Sequence, residues 1–119
     1  MLAEDVVLNQ VIATRLLARA GYTDVVVAKN GREAVDLVQL DDEVRLVLMD
    51  FRMPVLDGLD ATRAIRASGQ NTVKIVAMTA NASEHDRALC VSAGMDDYLS
   101  KPVVYKDLLH TLDRYLLAA

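Results

Sequence analysis

Five polar side chains stand where apolar runs of this sequence end, and their types define a chemistry. Glu4 and Asp5 follow Met1-Leu2-Ala3, Asp50 follows Leu46-Val47-Leu48-Met49, and Thr79 follows the run from Val73 to Met78. Lys101 follows Tyr98-Leu99 through Ser100. The set is three carboxylates, one hydroxyl and one ammonium, with no histidine or cysteine among them. Clustered carboxylates repel, so a compensating cation is expected. Oxygen ligands alone suit a hard ion, and Mg²⁺ binds through one or two carboxylates plus substrate oxygens. A lysine and a threonine beside such a site suit a phosphoryl group, the first as a point charge and the second as a hydroxyl donor. Neither GxxxxGK(S/T) nor GxGxxG occurs, so a nucleotide cradle is not supported. What remains is a carboxylate that itself receives the phosphoryl group. Asp50 is the candidate, because it ends a central-looking run while Glu4 and Asp5 form the metal end.

Singly, each residue has a plainer reading. A strand-end Asp is usually a turn former or a cap. Glu4 or Asp5 could cap the first helix, and Lys101 could be a solvated residue before Pro102. Together, these polar residues at four strand ends are hard to explain as caps, provided the runs are parallel strands. The runs support that: they are short, rich in β-branched residues and apolar on both faces, as strands covered on both sides must be. Val25-Val26-Val27-Ala28 is a further such run.

Helix patterns fill the gaps. Leu8, Val11, Ile12 and Leu16 recur at helical spacing before Gly21. Asn30 precedes a helix with Glu33 three residues on, Asp57 another with Asp60, and Ser83 a fourth in a capping-box arrangement with Asp86, closed by Gly94. The last helix is predicted from about Val104 to Leu117. Five βα units in 119 residues point to an open doubly wound sheet, whose functional crevice lies outside the carboxyl ends of the strands.

The chain is one domain's worth, 1–119, with a hydrophobic content of 53%. Net charge is −4, against a nucleic-acid or anionic-membrane surface. With Cys90 alone, neither an intrachain disulfide nor a cysteine metal cage can form. No apolar run approaches the roughly 20 residues of a membrane span. These features predict a cytoplasmic protein.

The sequence resembles the receiver domains of two-component response regulators over essentially its whole length. The resemblance is carried by Glu4-Asp5, by Leu48-Met49-Asp50-Phe51-Arg52-Met53-Pro54-Val55-Leu56-Asp57-Gly58, by Met78-Thr79-Ala80-Asn81-Ala82, and by Ala93-Gly94 through Ser100-Lys101-Pro102. It implies a flavodoxin-like three-layer α/β sandwich, with a five-stranded parallel sheet of order 2-1-3-4-5 and five helices. It implies Asp50 as phosphoacceptor. Mg²⁺ would be bound by Asp5, Asp50 and the backbone carbonyl of Arg52, with Glu4 holding it through water. Lys101, Thr79 and the backbone N–H groups near Phe51 and Ala80 would bind the phosphoryl oxygens. Thr79 and Tyr98 would form the switch, and Lys101–Pro102 would be cis.

The implied donor is a phosphohistidine on a histidine kinase or histidine phosphotransfer protein, and the chain would catalyse only its own phosphorylation and dephosphorylation. Output would pass to a downstream protein or a second copy through the surface of the fourth helix, fifth strand and fifth helix, from about Ser83 to Leu116, without direct contact to nucleic acid or membrane. A bacterial phosphorelay is expected, the chain being free-standing or carried on a hybrid sensor kinase. The alternative is a Mg²⁺-dependent phosphohydrolase with an aspartyl nucleophile, but the second Asp typical of such enzymes is replaced by Arg52.

Three features depart from the family pattern. Only Met1-Leu2-Ala3 precede the acidic pair, fewer strand residues than is usual, so either strand one is short or an upstream part of a larger protein has been cut away. Val6-Val7-Leu8 replaces a polar-Pro start, predicting a poorly capped first helix and apolar surface beside the site. Val103-Val104 stands where a capping residue is frequent. Arg15, Arg19, Arg63 and Arg66 are read as solvated helix faces, Cys90 as a small core residue, and His85 and His110 as solvated. Arg52 and Asn81, two residues past Asp50 and Thr79, are expected to flank the phosphoryl group.

Overall fold

A computed structural model describes residues 1–41, 43–53, 55–69, 72–80 and 83–117. Five strands alternate with five helices: β1 (Leu2–Ala3), α1 (Val7–Arg19), β2 (Val27–Ala28), α2 (Gly31–Leu40), β3 (Leu46–Asp50), α3 (Gly58–Ala67), β4 (Lys74–Thr79), α4 (Glu84–Ala93), β5 (Asp97–Ser100) and α5 (Tyr105–Leu112). All strand pairings are parallel, in the order β2-β1-β3-β4-β5. The order reverses between β1 and β3, so a crevice opens there at the carboxyl edge.

Strand side chains alternate between two buried faces. Leu46, Leu48, Val76 and Met78 pack with Ala13 and Leu17 of α1 and Leu108 and Leu112 of α5. Val47, Met49, Ile75 and Ala77 pack on the other side with Val35 of α2, Ile65 of α3 and Cys90 of α4. Three helix starts carry the caps that the sequence predicts. Asn30 Oδ1 accepts from Glu33 N at 2.8 Å, Asp57 Oδ1 from Asp60 N at 2.9 Å and Ser83 Oγ from Asp86 N at 3.1 Å, each contributing about 1 kcal/mol. Val6 and Val104 start α1 and α5 with no side-chain cap bond. Past α5 the chain continues as a π-helical turn, Asp113–Leu117, where Tyr115 Oη donates to Asp97 Oδ2 at 3.1 Å.

Three sequence readings are corrected. Of the stripe Leu8, Val11, Ile12, Leu16, only Leu16 packs against the core on the α1 face of the sheet. Ala13 and Leu17 are the buried positions of α1, while Leu8 is 67% and Ile12 48% exposed. Arg66 is not a solvated residue of α3. Its guanidinium donates to Gly94 O at 3.0 Å and Val73 O at 2.7 Å, and pairs with Asp96 Oδ2 at 2.9 Å, tying α3 to the entries of β4 and β5. The run Val25–Ala28 also shortens, since only Val27 and Ala28 pair with β1.

Candidate functional site

The register of the strands brings the polar residues to one edge. Asp50 pairs with Met78, one residue before Thr79, and Thr79 pairs with Ser100, one residue before Lys101. Backbone bonds carry this alignment beyond the strand ends, from Phe51 N to Met78 O at 2.9 Å and from Lys101 N to Thr79 O at 2.8 Å. Gly58 lets the start of α3 close under β3, because a Cβ there would collide with the carbonyl oxygen of Asp50. The Lys101–Pro102 peptide is cis.

Three carboxylates and one ammonium form the centre. Glu4 is 1% exposed and Asp50 5%, and carboxylates this buried demand partners. Lys101 Nζ supplies them, lying 2.9 Å from Asp50 Oδ1 and 3.3 Å from Glu4 Oε1. Arg52 N also approaches Asp50 Oδ1 at 3.4 Å, and Glu4 Oε2 accepts from Asp5 N at 3.0 Å. The electrostatics record the crowding. Burial, and then the neighbouring Asp50, push the Glu4 carboxyl above its ordinary range, with Lys101 offsetting part of the rise. Burial alone would lower Lys101, but its bonds to Asp50 and Glu4 outweigh this and hold it above its ordinary value.

A carboxylate oxygen from each of Glu4, Asp5 and Asp50 lies within 4.8 Å of the others. This all-oxygen donor set, incompletely neutralised by one lysine, fits a hard divalent cation better than a soft metal. A cavity of about 280 Å³ opens beside it, walled by Asp5, Asp50, Thr79, Ala80 and Lys101. Arg52 is exposed at its rim, its guanidinium 5.8 Å from the Phe51 ring centroid. Asn81 lies outside the described residues. Tyr98 is half-buried on β5, and the Arg87 guanidinium of α4 lies over its ring at 4.6 Å from the centroid.

Two cavity residues escaped the sequence reading, Asn9 of α1 and Asp86 of α4. Asn9 follows Asp5 by one helical turn, a spacing that points to the same edge. Asp86 carries the residue type of a capping box, and nothing in that motif reports the cavity.

A family model described as the response regulator receiver domain matches residues 1–113. The chain is 40% identical over 106 residues to hybrid signal transduction histidine kinase H of Dictyostelium discoideum, covering 87% of this chain and 8% of that kinase's length. Among solved structures it is similar to the receiver domain of a sensor histidine kinase from Pseudomonas aeruginosa PAO1, which holds a magnesium ion in its active site cleft. Identity there is 41% over 98% of this chain and 95% of the other, at a TM-score of 0.88. It is also similar to the receiver domain of the Saccharomyces cerevisiae regulator Ssk1, co-crystallised with the histidine phosphotransfer protein Ypd1. Identity there is 33% over 96% and 85% of the two chains, at a TM-score of 0.86. With an amoeba and a yeast among these relatives, the likeness does not single out a bacterial source.

Proposed function

The chain belongs to the response regulator receiver domain family of two-component phosphorelays, and from that premise we propose that Asp50 accepts the phosphoryl group in this protein. The observation that carries the proposal is the bridge from Lys101 Nζ to Asp50 Oδ1 and Glu4 Oε1, set beside Asp5 at the carboxyl edge of β1 and β3. An Asp50 carboxylate oxygen forms the new O–P bond while the partner's N–P bond breaks, its electron pair staying on the imidazole nitrogen. Lys101 sits where it would neutralise charge on the transferring group, and Thr79 and Ala80, which line the same cavity, would supply a hydroxyl and a backbone N–H as donors. Asp5, Asp50 and the Arg52 carbonyl, with Glu4 acting through water, would hold Mg²⁺, which when bound neutralises phosphoryl charge. Receivers take phosphoryl groups on themselves and are not generally classed as enzymes. A phosphohydrolase reading is disfavoured by Arg52, which offers no carboxylate as acid or base two residues past Asp50.

The phosphohistidine carrier docks, in this proposal, on the apolar face of α1. Val7 at 69% exposure, with Leu8 and Ile12, spreads apolar surface beside the acceptor edge. It continues into a largely apolar cavity of about 360 Å³ that Ile12 and Leu16 share with Pro102 and Val103. Whether the donor is a kinase or a phosphotransfer protein, it must present its histidine to that edge. Among the described residues no helix is long and apolar enough to cross a membrane. The net charge of −4 supports a protein partner over nucleic acid.

Signal output is proposed for the face of α4, β5 and α5, reaching a downstream protein or a second copy. Thr79 moves toward the phosphoryl oxygens and Tyr98 follows into the vacated space. Both states must lie within a few kcal/mol for one modification to shift the balance. Thr79→Ala should leave Asp50 phosphorylated and cut the response at Tyr98 and α5 at least severalfold. Amide shifts with and without beryllofluoride, a stable phosphoryl mimic, test this. Shifts confined to the Asp50 cavity in the wild type would refute the switch.

Arg52 is proposed to shield the acyl phosphate from water. Arg52→Ala should speed its hydrolysis by roughly threefold to tenfold, the effect of removing one rim cation and its cover. Decay followed by loss of label checks this, and an unchanged rate would remove Arg52 from the account.

A further inference from the structure

Asp86 is a charge that the acceptor chemistry does not require. It sits in the first turn of α4, half-buried, and lines the same cavity as Asp5, Asp50, Thr79 and Lys101. Its role at the helix start is met by its backbone N–H, which donates to Ser83 Oγ at 3.1 Å. Among the described residues its carboxylate makes no hydrogen bond or ion pair. Lys101 does not compensate it, because that ammonium is committed to Asp50 and Glu4. The cavity lining therefore includes a carboxylate without an ion-pair partner among the described residues, in a space that a negatively charged reactant must enter.

We propose that Asp86 selects among phosphoryl donors by charge, slowing reaction with small anionic donors that must enter the cavity without a docking surface. The inference rests on Asp50 being the acceptor. With acetyl phosphate, an Asp50 oxygen forms the O–P bond, the P–O bond to the acetyl group breaks, and acetate leaves with the electron pair. With phosphoramidate, the N–P bond breaks and ammonia leaves carrying its protons. Near neutral pH acetyl phosphate is doubly negative, whereas phosphoramidate carries a protonated amine and is singly negative. A carboxylate at the mouth repels the first more than the second. A protein-borne phosphohistidine offsets the same repulsion through the contacts that dock its carrier.

The test compares wild type, Asp86→Asn and Asp86→Glu at saturating Mg²⁺, measuring initial rates with both donors at low and high salt. Saturation removes any effect of the charge on metal affinity. Asp86→Asn should raise the acetyl phosphate rate by roughly threefold to tenfold at low salt, the phosphoramidate rate by less, and the gain should shrink as salt screens the site. Asp86→Glu should keep the wild-type ratio of the two rates. A merely structural role in α4 would alter thermal stability and leave that ratio unchanged. Equal ratios in wild type and Asp86→Asn overturn the inference, as does a gain indifferent to salt. No label on wild-type Asp50 from either donor would instead overturn the acceptor reading. If Asp86→Asn folds poorly, Asp86→Gln reads the same ratio.

Discussion

Asp50→Asn should abolish phosphoryl uptake and leave the fold intact. The substitution keeps the shape of the side chain but removes the nucleophilic charge, and no second carboxylate replaces it. Glu4 is 1% exposed and held by Lys101 at 3.3 Å, and Asp5 belongs to the same cation-binding cluster. Asp50 is itself buried, so losing its charge leaves a neutral amide able to accept from Lys101. The Lys101 charge keeps Glu4 as a partner, which avoids the cost of an isolated buried ion. Uptake from a small phosphodonor should fall below detection, a loss of at least a thousandfold. Stability should change by about 1 kcal/mol or less, because the crowding that raises Glu4 is relieved as the ion pair is lost. Intact-protein mass spectrometry and a thermal melt read the two quantities. Uptake at the wild-type level in the variant would place the acceptor elsewhere.

Asp5→Asn should weaken Mg²⁺ binding while stabilising the metal-free protein. Three carboxylates converge within 4.8 Å and one lysine faces them, so part of the negative charge is unopposed without a cation. Deleting one charge relieves the repulsion, but the neutral amide oxygen left in its place is a weaker ligand for the ion. Affinity should drop at least tenfold. The apo form should gain about 1 kcal/mol, or roughly 3–6 °C in Tm for a chain of this size. The pH dependence follows from Glu4. Its folded-state pKa is raised, so its contribution to stability is complete below the ordinary glutamate range and is lost as pH rises through the raised value. The metal-free wild type therefore gives up stability on going from mildly acidic to neutral pH, and Mg²⁺ restores it by binding only the folded state. A magnesium-dependent rise in Tm that survived Asp5→Asn would show that Asp5 is not a ligand.

The site was legible because the fold needs so little information to align it. Once short apolar runs alternate with helices, parallel pairing puts every carboxyl strand end on one edge, and the residues there declare the chemistry. Glu4, Asp50, Thr79 and Lys101 are found on that edge. Where reading failed, it lacked a partner's position. Periodicity showed that α1 is amphipathic, but Ala13 and Leu17, which lie one position past Ile12 and Leu16, are its buried positions. Leu8 and Ile12 stay outside, a cost that only something beyond the described fold explains. Arg66 looked like any helical arginine, since its acceptors Val73, Gly94 and Asp96 are remote in sequence or in a turn. Asp86 escaped notice because a first-turn Asp already has a local explanation at a helix start.

The central claim is that phosphoryl transfer ends on Asp50. The most direct measurement supplies a phosphohistidine-bearing phosphotransfer protein and Mg²⁺, reduces the product with borohydride, and sequences the peptides. Reduction converts an aspartyl phosphate to homoserine, marking the acceptor permanently. The account predicts homoserine at position 50 and at no other Asp, and no Glu reduced to its alcohol. Homoserine elsewhere, phosphate retained on His85 or His110, or a donor that keeps its phosphate in the presence of the folded, magnesium-bound protein would contradict it.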